Sequence, residues 1–180
     1  MSDLARQGGQ RRLDRILEPA FAEGLSELST DEVKGRRDEC RAEAEYLSYV
    51  RRVLQGRLDI LAAERARRAG QDEGPVVDRL PEILAEGPAG ASRGGFLPTA
   101  VPEQEMTLAR RQVDRLVAEV ALSDLGSLTD ERLGEAIEAL AGEERRVSDA
   151  RSQVFRVHDA LQDEVKRRLR EELQHVPHEA

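Results

Sequence analysis

Four residues, Glu144, Ser148, Arg151 and Asp159, fall at relative steps of 0, 4, 7 and 15. On a helix, at about 100° per residue, they lie within about 80° of one another and form one polar stripe. A second stripe, Ser48, Arg51, Gln55 and Asp59, stands 100 residues earlier, with its Ser, Arg and Asp in register with the first. These residue types suit a guanine nucleotide. Arg can present its fork to guanine O6 and N7, and a carboxylate can accept from the N1 and N2 donors. Ser and Gln add smaller hydrogen-bonding groups for phosphate or sugar. On chemistry alone, a stripe of Arg, Ser and Asp is more often a solvated face or an interhelical ion-pair ladder.

The stripes belong to a longer duplication. Residues 11–68 align with 111–168 without a gap, with 13 identities in 58 positions, among them Leu28/Leu128, Glu43/Glu143, Arg51/Arg151, Asp59/Asp159, Glu64/Glu164, Arg67/Arg167 and Arg68/Arg168. That identity is modest, but apolar positions also match in kind, as in Val33/Leu133, Cys40/Leu140, Leu47/Val147 and Leu54/Val154. The chain therefore reads as two copies of one helical unit.

Each copy reads as a shorter helix, a break and a long helix. In the first, Leu13, Ile16, Leu17, Ala20 and Phe21 have helical spacing over 12–23, and 24–30 interrupts it. Ser29 followed by Glu32 is a capping-box signature, so the long helix starts there and runs to Gly70. In the second copy the short helix follows Pro102, breaks at 123–128, and resumes from Thr129 or Asp130 to about Gln174. A helix of about 40 residues is about 60 Å long and calls for a coiled-coil partner.

The heptads supply that partner. Val33, Cys40, Leu47, Leu54 and Leu61 recur every seven residues, as do Leu133, Leu140, Val147, Val154 and Leu161, the d positions of a left-handed coiled coil. The companion a positions are Arg37, Ala44, Arg51, Leu58 and Arg65 in one helix and Ile137, Glu144, Arg151, His158 and Val165 in the other. The expected fold is all-α: an antiparallel coiled-coil hairpin with short leading helices and an internal duplication. The expected organisation is a disordered N-terminus (1–10), a first repeat (11–69), a flexible Gly/Pro-rich linker (70–102), a second repeat (103–174) and a C-terminal tail (175–180). The linker holds six of the 14 glycines and five of the seven prolines, with one helical turn at 80–86 as an option. With the helices antiparallel about a pseudo-twofold axis, both stripes meet near the middle and form a site with two Arg, two Asp and two Ser.

Composition limits the alternatives. The chain has 28 Lys plus Arg against 36 Asp plus Glu, a net charge of -8, which disfavours direct binding to bare nucleic acid. No apolar run approaches the roughly 20 residues that span a bilayer, and 1–12 lacks the apolar core of a signal peptide, so the reading is soluble and cytoplasmic with no membrane partner. Cys40, the sole cysteine, reads as a small core residue, and no HxxxCxxC zinc pattern is present. His175 and His178 are two ligands at a frayed end, so no metal is expected, and His158 beside Asp159 reads as structural. No nucleophile elbow or P-loop points to an enzyme.

The spacing resembles E-x3-S-x2-R-x3-Q-x3-D, the signature of the RsiG family of anti-sigma factors in sporulating actinobacteria. The stretch LSYVRRVLQGRLDIL, residues 47–61, is similar to that family as well. The resemblance implies binding of a cyclic di-GMP dimer and ligand-dependent sequestration of WhiG, a flagellar-type sigma factor controlling sporulation genes. Carried onto this chain, it implies ligand contacts at Ser48, Arg51, Gln55 and Asp59 and at Glu144, Ser148, Arg151 and Asp159. Each copy departs from the pattern once: Ala44 stands where the motif has Glu, with Glu43 and Glu45 only adjacent, and Phe155 stands where it has Gln. Phe155 could stack on a base, or pack on the seam as a lone Phe on a helix more often does. The alternative function is a coiled-coil adaptor or structural dimerisation protein with no nucleotide ligand.

Overall fold

The structure, a computed structural model, describes residues 9–70, 101–119 and 127–174. Four helices account for most of them: α1 (Gly9–Leu17), α2 (Thr30–Arg68), α3 (Glu103–Glu119) and α4 (Asp130–Gln174). Among the described residues there is no strand. The long helices α2 and α4 pack against each other as an antiparallel helical hairpin. The expectations for 1–8, 71–100 and 175–180, including the turn at 80–86, and most of the break at 123–128 lie outside the described residues.

Local chemistry sets the helix ends. The Ser29 hydroxyl accepts from the Glu32 backbone N–H at 3.2 Å while the Ser29 N–H donates to the Glu32 carboxylate at 2.7 Å, the reciprocal capping box expected for α2. Thr129, its repeat mate, accepts from the Arg132 N–H at 3.3 Å and opens α4. Gly70 adopts φ 69°, the left-handed conformation that terminates α2 behind Arg65, Arg67 and Arg68, cations suited to a helix C-terminus.

The first short helix differs from the reading of 12–23. It spans Gly9–Leu17 and gives way to a 3-10 turn at Pro19–Phe21. Proline drives the residue before it out of helical space, and Glu18 is extended (φ -65°, ψ 131°). The apolar spacing still serves burial, because Ile16 and Phe21 both sit in the core. Arg36 fixes that turn from α2, donating to the Phe21 carbonyl at 2.7 Å with its guanidinium over the Phe21 ring.

All ten d positions are buried, from Val33 to Leu61 in α2 and from Leu133 to Leu161 in α4. Of the a positions Ala44, His158 and Val165 are buried, while Arg37 and Arg51 are half-buried and Arg65 is exposed. The d residues thus close the seam, and the long a-position side chains keep their heads at its edge.

The packing divides into two compact units, Met1–Glu45 with Asp149–Ala180, and Tyr46–Ser148. Each draws on both sequence repeats. In the first unit, α1 is tied to α2 by the ion pairs Arg12–Glu43 and Arg15–Glu39, and Arg37 of α2 donates to Gln162 of α4 at 3.4 Å. In the second, α3 is tied to α2 by Arg57–Asp114 at 2.8 Å and by Arg110 donating to the Tyr49 hydroxyl at 2.6 Å.

Each unit also contains the same latch. In the second unit Arg68 donates to Glu64 at 2.7 Å, to the Leu128 carbonyl at 2.6 Å and to Asp130 at 2.8 Å. In the first unit Arg168 donates to Glu164 at 2.7 Å, to the Leu28 carbonyl at 2.8 Å, to the Leu25 carbonyl and to the Thr30 hydroxyl. The C-terminal part of each long helix thereby holds the segment that enters the other. Arg67, outweighing burial and assisted by Arg68, holds the Glu64 carboxyl at about 2, and Arg167 with Arg168 does the same for Glu164.

Candidate functional site

The second unit gathers Arg51 and Gln55 from α2 with Glu144 and Ser148 from α4. One carboxylate oxygen, Oε1 of Glu144, accepts from the Ser148 hydroxyl at 3.0 Å and from the Gln55 amide at 3.4 Å, and lies 3.6 Å from Nη1 of Arg51. Antiparallel pairing brings these residues together: the Arg and Gln belong to the first repeat, and the Glu and Ser to the second.

The Arg51 side chain is 34% exposed, so its fork reaches the surface. Its Nε, however, is buried and has no hydrogen-bond partner. A buried donor left unmet costs about 1–3 kcal/mol, so such atoms in a folded protein call for an explanation. Ser48, one turn before Arg51, is half-buried. Asp59, eight residues beyond it and so about 12 Å along the axis, is also half-buried. Burial pushes the Asp59 carboxyl up from its ordinary value, and no cation pairs with it among the described residues.

In the first unit the corresponding positions differ. The Arg151 guanidinium lies 4.6 Å from the centre of the Phe155 ring, a cation–π contact on the same helix face. Phe155 is half-buried, so it both packs and carries the arginine. Asp159 is exposed, with His158 Nδ1 3.1 Å away. Ala44 is buried. Neither neighbour replaces the missing glutamate, because Glu43 is buried in its ion pair with Arg12 and Glu45 pairs with Arg41 at 3.3 Å.

Sequence reasoning missed the buried carboxylates Glu43 and Glu64 and the two arginine latches. Their signal was present in the identities between repeats at Leu28/Leu128, Glu64/Glu164, Arg67/Arg167 and Arg68/Arg168. Among the described residues no group of His, Cys, Asp and Glu could hold a metal ion, and no helix is long and apolar enough to cross a membrane.

Residues 19–84, which include all of α2 with Ser48, Arg51, Gln55 and Asp59, match the family model described as RsiG-like. That stretch is similar to the RsiG family. The RsiG family is one of regulatory anti-sigma factors. No curated protein matches the chain. The RsiG-like match begins within the first repeat, at residue 19, and ends at 84, whereas Glu144 and Ser148, which meet Arg51 and Gln55 in the structure, come from outside it.

Proposed function

We propose that this chain is a cytoplasmic, cyclic di-GMP-responsive anti-sigma factor that sequesters a WhiG-like sigma factor of the flagellar and sporulation type and so represses its transcription. The observation that carries the reading is the buried, unpartnered Nε of Arg51 beside the Glu144, Gln55 and Ser148 cluster. A cyclic dinucleotide supplies what that arginine lacks, either a guanine edge with two acceptors or a phosphate. Glu144 and Asp59 offer carboxylates to guanine N1 and N2 donors, and Ser48, Ser148 and Gln55 offer groups suited to sugar or phosphate. Arg151 and Asp159 provide the equivalent groups in the other copy. Once bound, the ligand forms a dimer, one cyclic di-GMP for each copy of the motif.

Control of the partner follows by linkage. A ligand that binds the sigma-bound arrangement more tightly than the free one raises sigma affinity by the same factor. The net charge of -8 suits a partner whose promoter-binding surfaces are basic, and the complex then covers the surface that DNA needs. The adaptor reading explains the Arg51–Glu144 and Gln55–Glu144 contacts as devices that fix register. It leaves the orphaned Arg51 Nε unexplained.

Calorimetric titration with cyclic di-GMP, of the chain alone and of the chain mixed with a WhiG-type sigma factor, tests the proposal. Saturable heat in at least one titration is expected. No heat in either sinks the proposal and leaves the adaptor.

A further inference from the structure

The two copies of the polar motif do not have equal means of holding a ligand. In the second unit all five residue types of the pattern are present: Ser48, Arg51, Gln55 and Asp59 on α2, with Glu144 and Ser148 supplied by α4. Neither repeat is complete in sequence, but in this unit Glu144 of one stands against Arg51 and Gln55 of the other, so the glutamate and glutamine of the pattern meet. The Arg51 guanidinium has an ion-pair partner at Nη1 and an unmet donor at Nε.

The first unit holds Arg151 and Asp159 with Ala44 in the glutamate position and Phe155 in the glutamine position. Glu43 cannot be recruited without breaking its buried pair with Arg12, which ties α1 to α2. The face of the Arg151 guanidinium is already on the Phe155 ring. That contact uses the face of the guanidinium and not its in-plane fork, but the Phe155 ring supplies neither the amide donor nor the amide acceptor of the glutamine it replaces.

Resting on the cyclic di-GMP reading above, we infer that the half-site built around Arg51 carries most of the ligand affinity and that Phe155, by withholding the amide that Gln55 provides in the other copy, leaves the Arg151 half-site weaker. Phe155 is then the residue that separates the two sites. Ligand uptake is stepwise, with a strong step at Arg51 and a weak one at Arg151. The partner complex is accordingly graded over a wider range of ligand concentration than two equal sites allow.

The test is calorimetric titration of the full chain with cyclic di-GMP, in the presence of the sigma factor if the chain alone gives no heat, comparing wild type with Arg151→Ala and Phe155→Gln. Wild type is expected to show two steps separated by about tenfold or more. Arg151→Ala removes the weak step, and Phe155→Gln tightens the weak step about tenfold, the order of one regained hydrogen bond. Two equal steps in wild type, loss of the strong step in Arg151→Ala, or an unchanged weak step in Phe155→Gln overturns the inference while the ligand assignment stands. No binding by wild type removes the ligand assignment itself, and this inference with it. Circular dichroism of each variant checks that it is folded, and should Phe155→Gln fail that check, Arg151→Ala alone decides.

Discussion

Arg51→Ala lowers the affinity for cyclic di-GMP by about 100-fold or more and leaves the helical circular dichroism signal unchanged. The size follows from losing charge-assisted hydrogen bonds, each worth about 1.5–3 kcal/mol, where tenfold in affinity is about 1.4 kcal/mol. Folding is spared because Arg51 sits at the seam edge with a third of its side chain exposed, while Leu47 and Leu54 on either side supply the buried layers. Removing the arginine also removes the unmet Nε from the unbound protein, which offsets part of the lost ion pair with Glu144. Arg51→Lys rescues little, because an ammonium lacks the planar fork and has no Nε. Titration calorimetry of both variants reads the effect. Affinity within threefold of wild type in Arg51→Ala would show that this residue does not contact the ligand.

Arg168→Ala destabilises the fold by about 2–3 kcal/mol. The side chain is largely buried and joins Glu164 to the Leu25 and Leu28 carbonyls and the Thr30 hydroxyl, so truncation leaves several partly buried acceptors without a donor. Thermal or denaturant unfolding measures the loss. The same latches set an acid limit. Glu64 and Glu164 are held at about 2, below the ordinary carboxylate value of 4.5. Groups whose folded values are depressed contribute stability that is present above 4.5 and fades as pH falls toward 2. Wild type therefore loses stability steeply across that window, and a Glu64→Gln, Glu164→Gln variant starts less stable at pH 7 and loses less on acidification. Parallel pH profiles for the two proteins would show that the latches are not coupled to folding.

Much of this fold is legible in the sequence because a long coiled-coil seam follows one simple rule. Apolar residues every seven positions must be buried, and all ten named by that rule are. The cap at Ser29 and Glu32 is local chemistry and equally readable. The first short helix ends sooner than its apolar spacing implies, because that spacing, Leu13 through Phe21, continues past Pro19, and a 3-10 turn buries Phe21 as well. Glu43 and Glu64 look like surface charges in the sequence. Their burial depends on partners that periodicity does not name: Arg12 on another helix for Glu43, and Arg67 with Arg68 for Glu64.

The site residues were readable as types and stripes but not as a constellation. Which glutamate meets which arginine depends on the register between antiparallel helices, and that register places Glu144 of the second repeat against Arg51 and Gln55 of the first. A scan along one strand of sequence sees two damaged motifs, at Ala44 and at Phe155. The folded chain brings Arg51 and Gln55 of one copy together with Glu144 and Ser148 of the other.

The most direct measurement is the affinity of the full chain for a WhiG-type sigma factor with and without cyclic di-GMP. The expected result is tighter binding with ligand, by the same factor by which the sigma factor tightens ligand binding, as linkage requires. Equal sigma affinity in the two conditions, alongside a folded chain, would contradict ligand control.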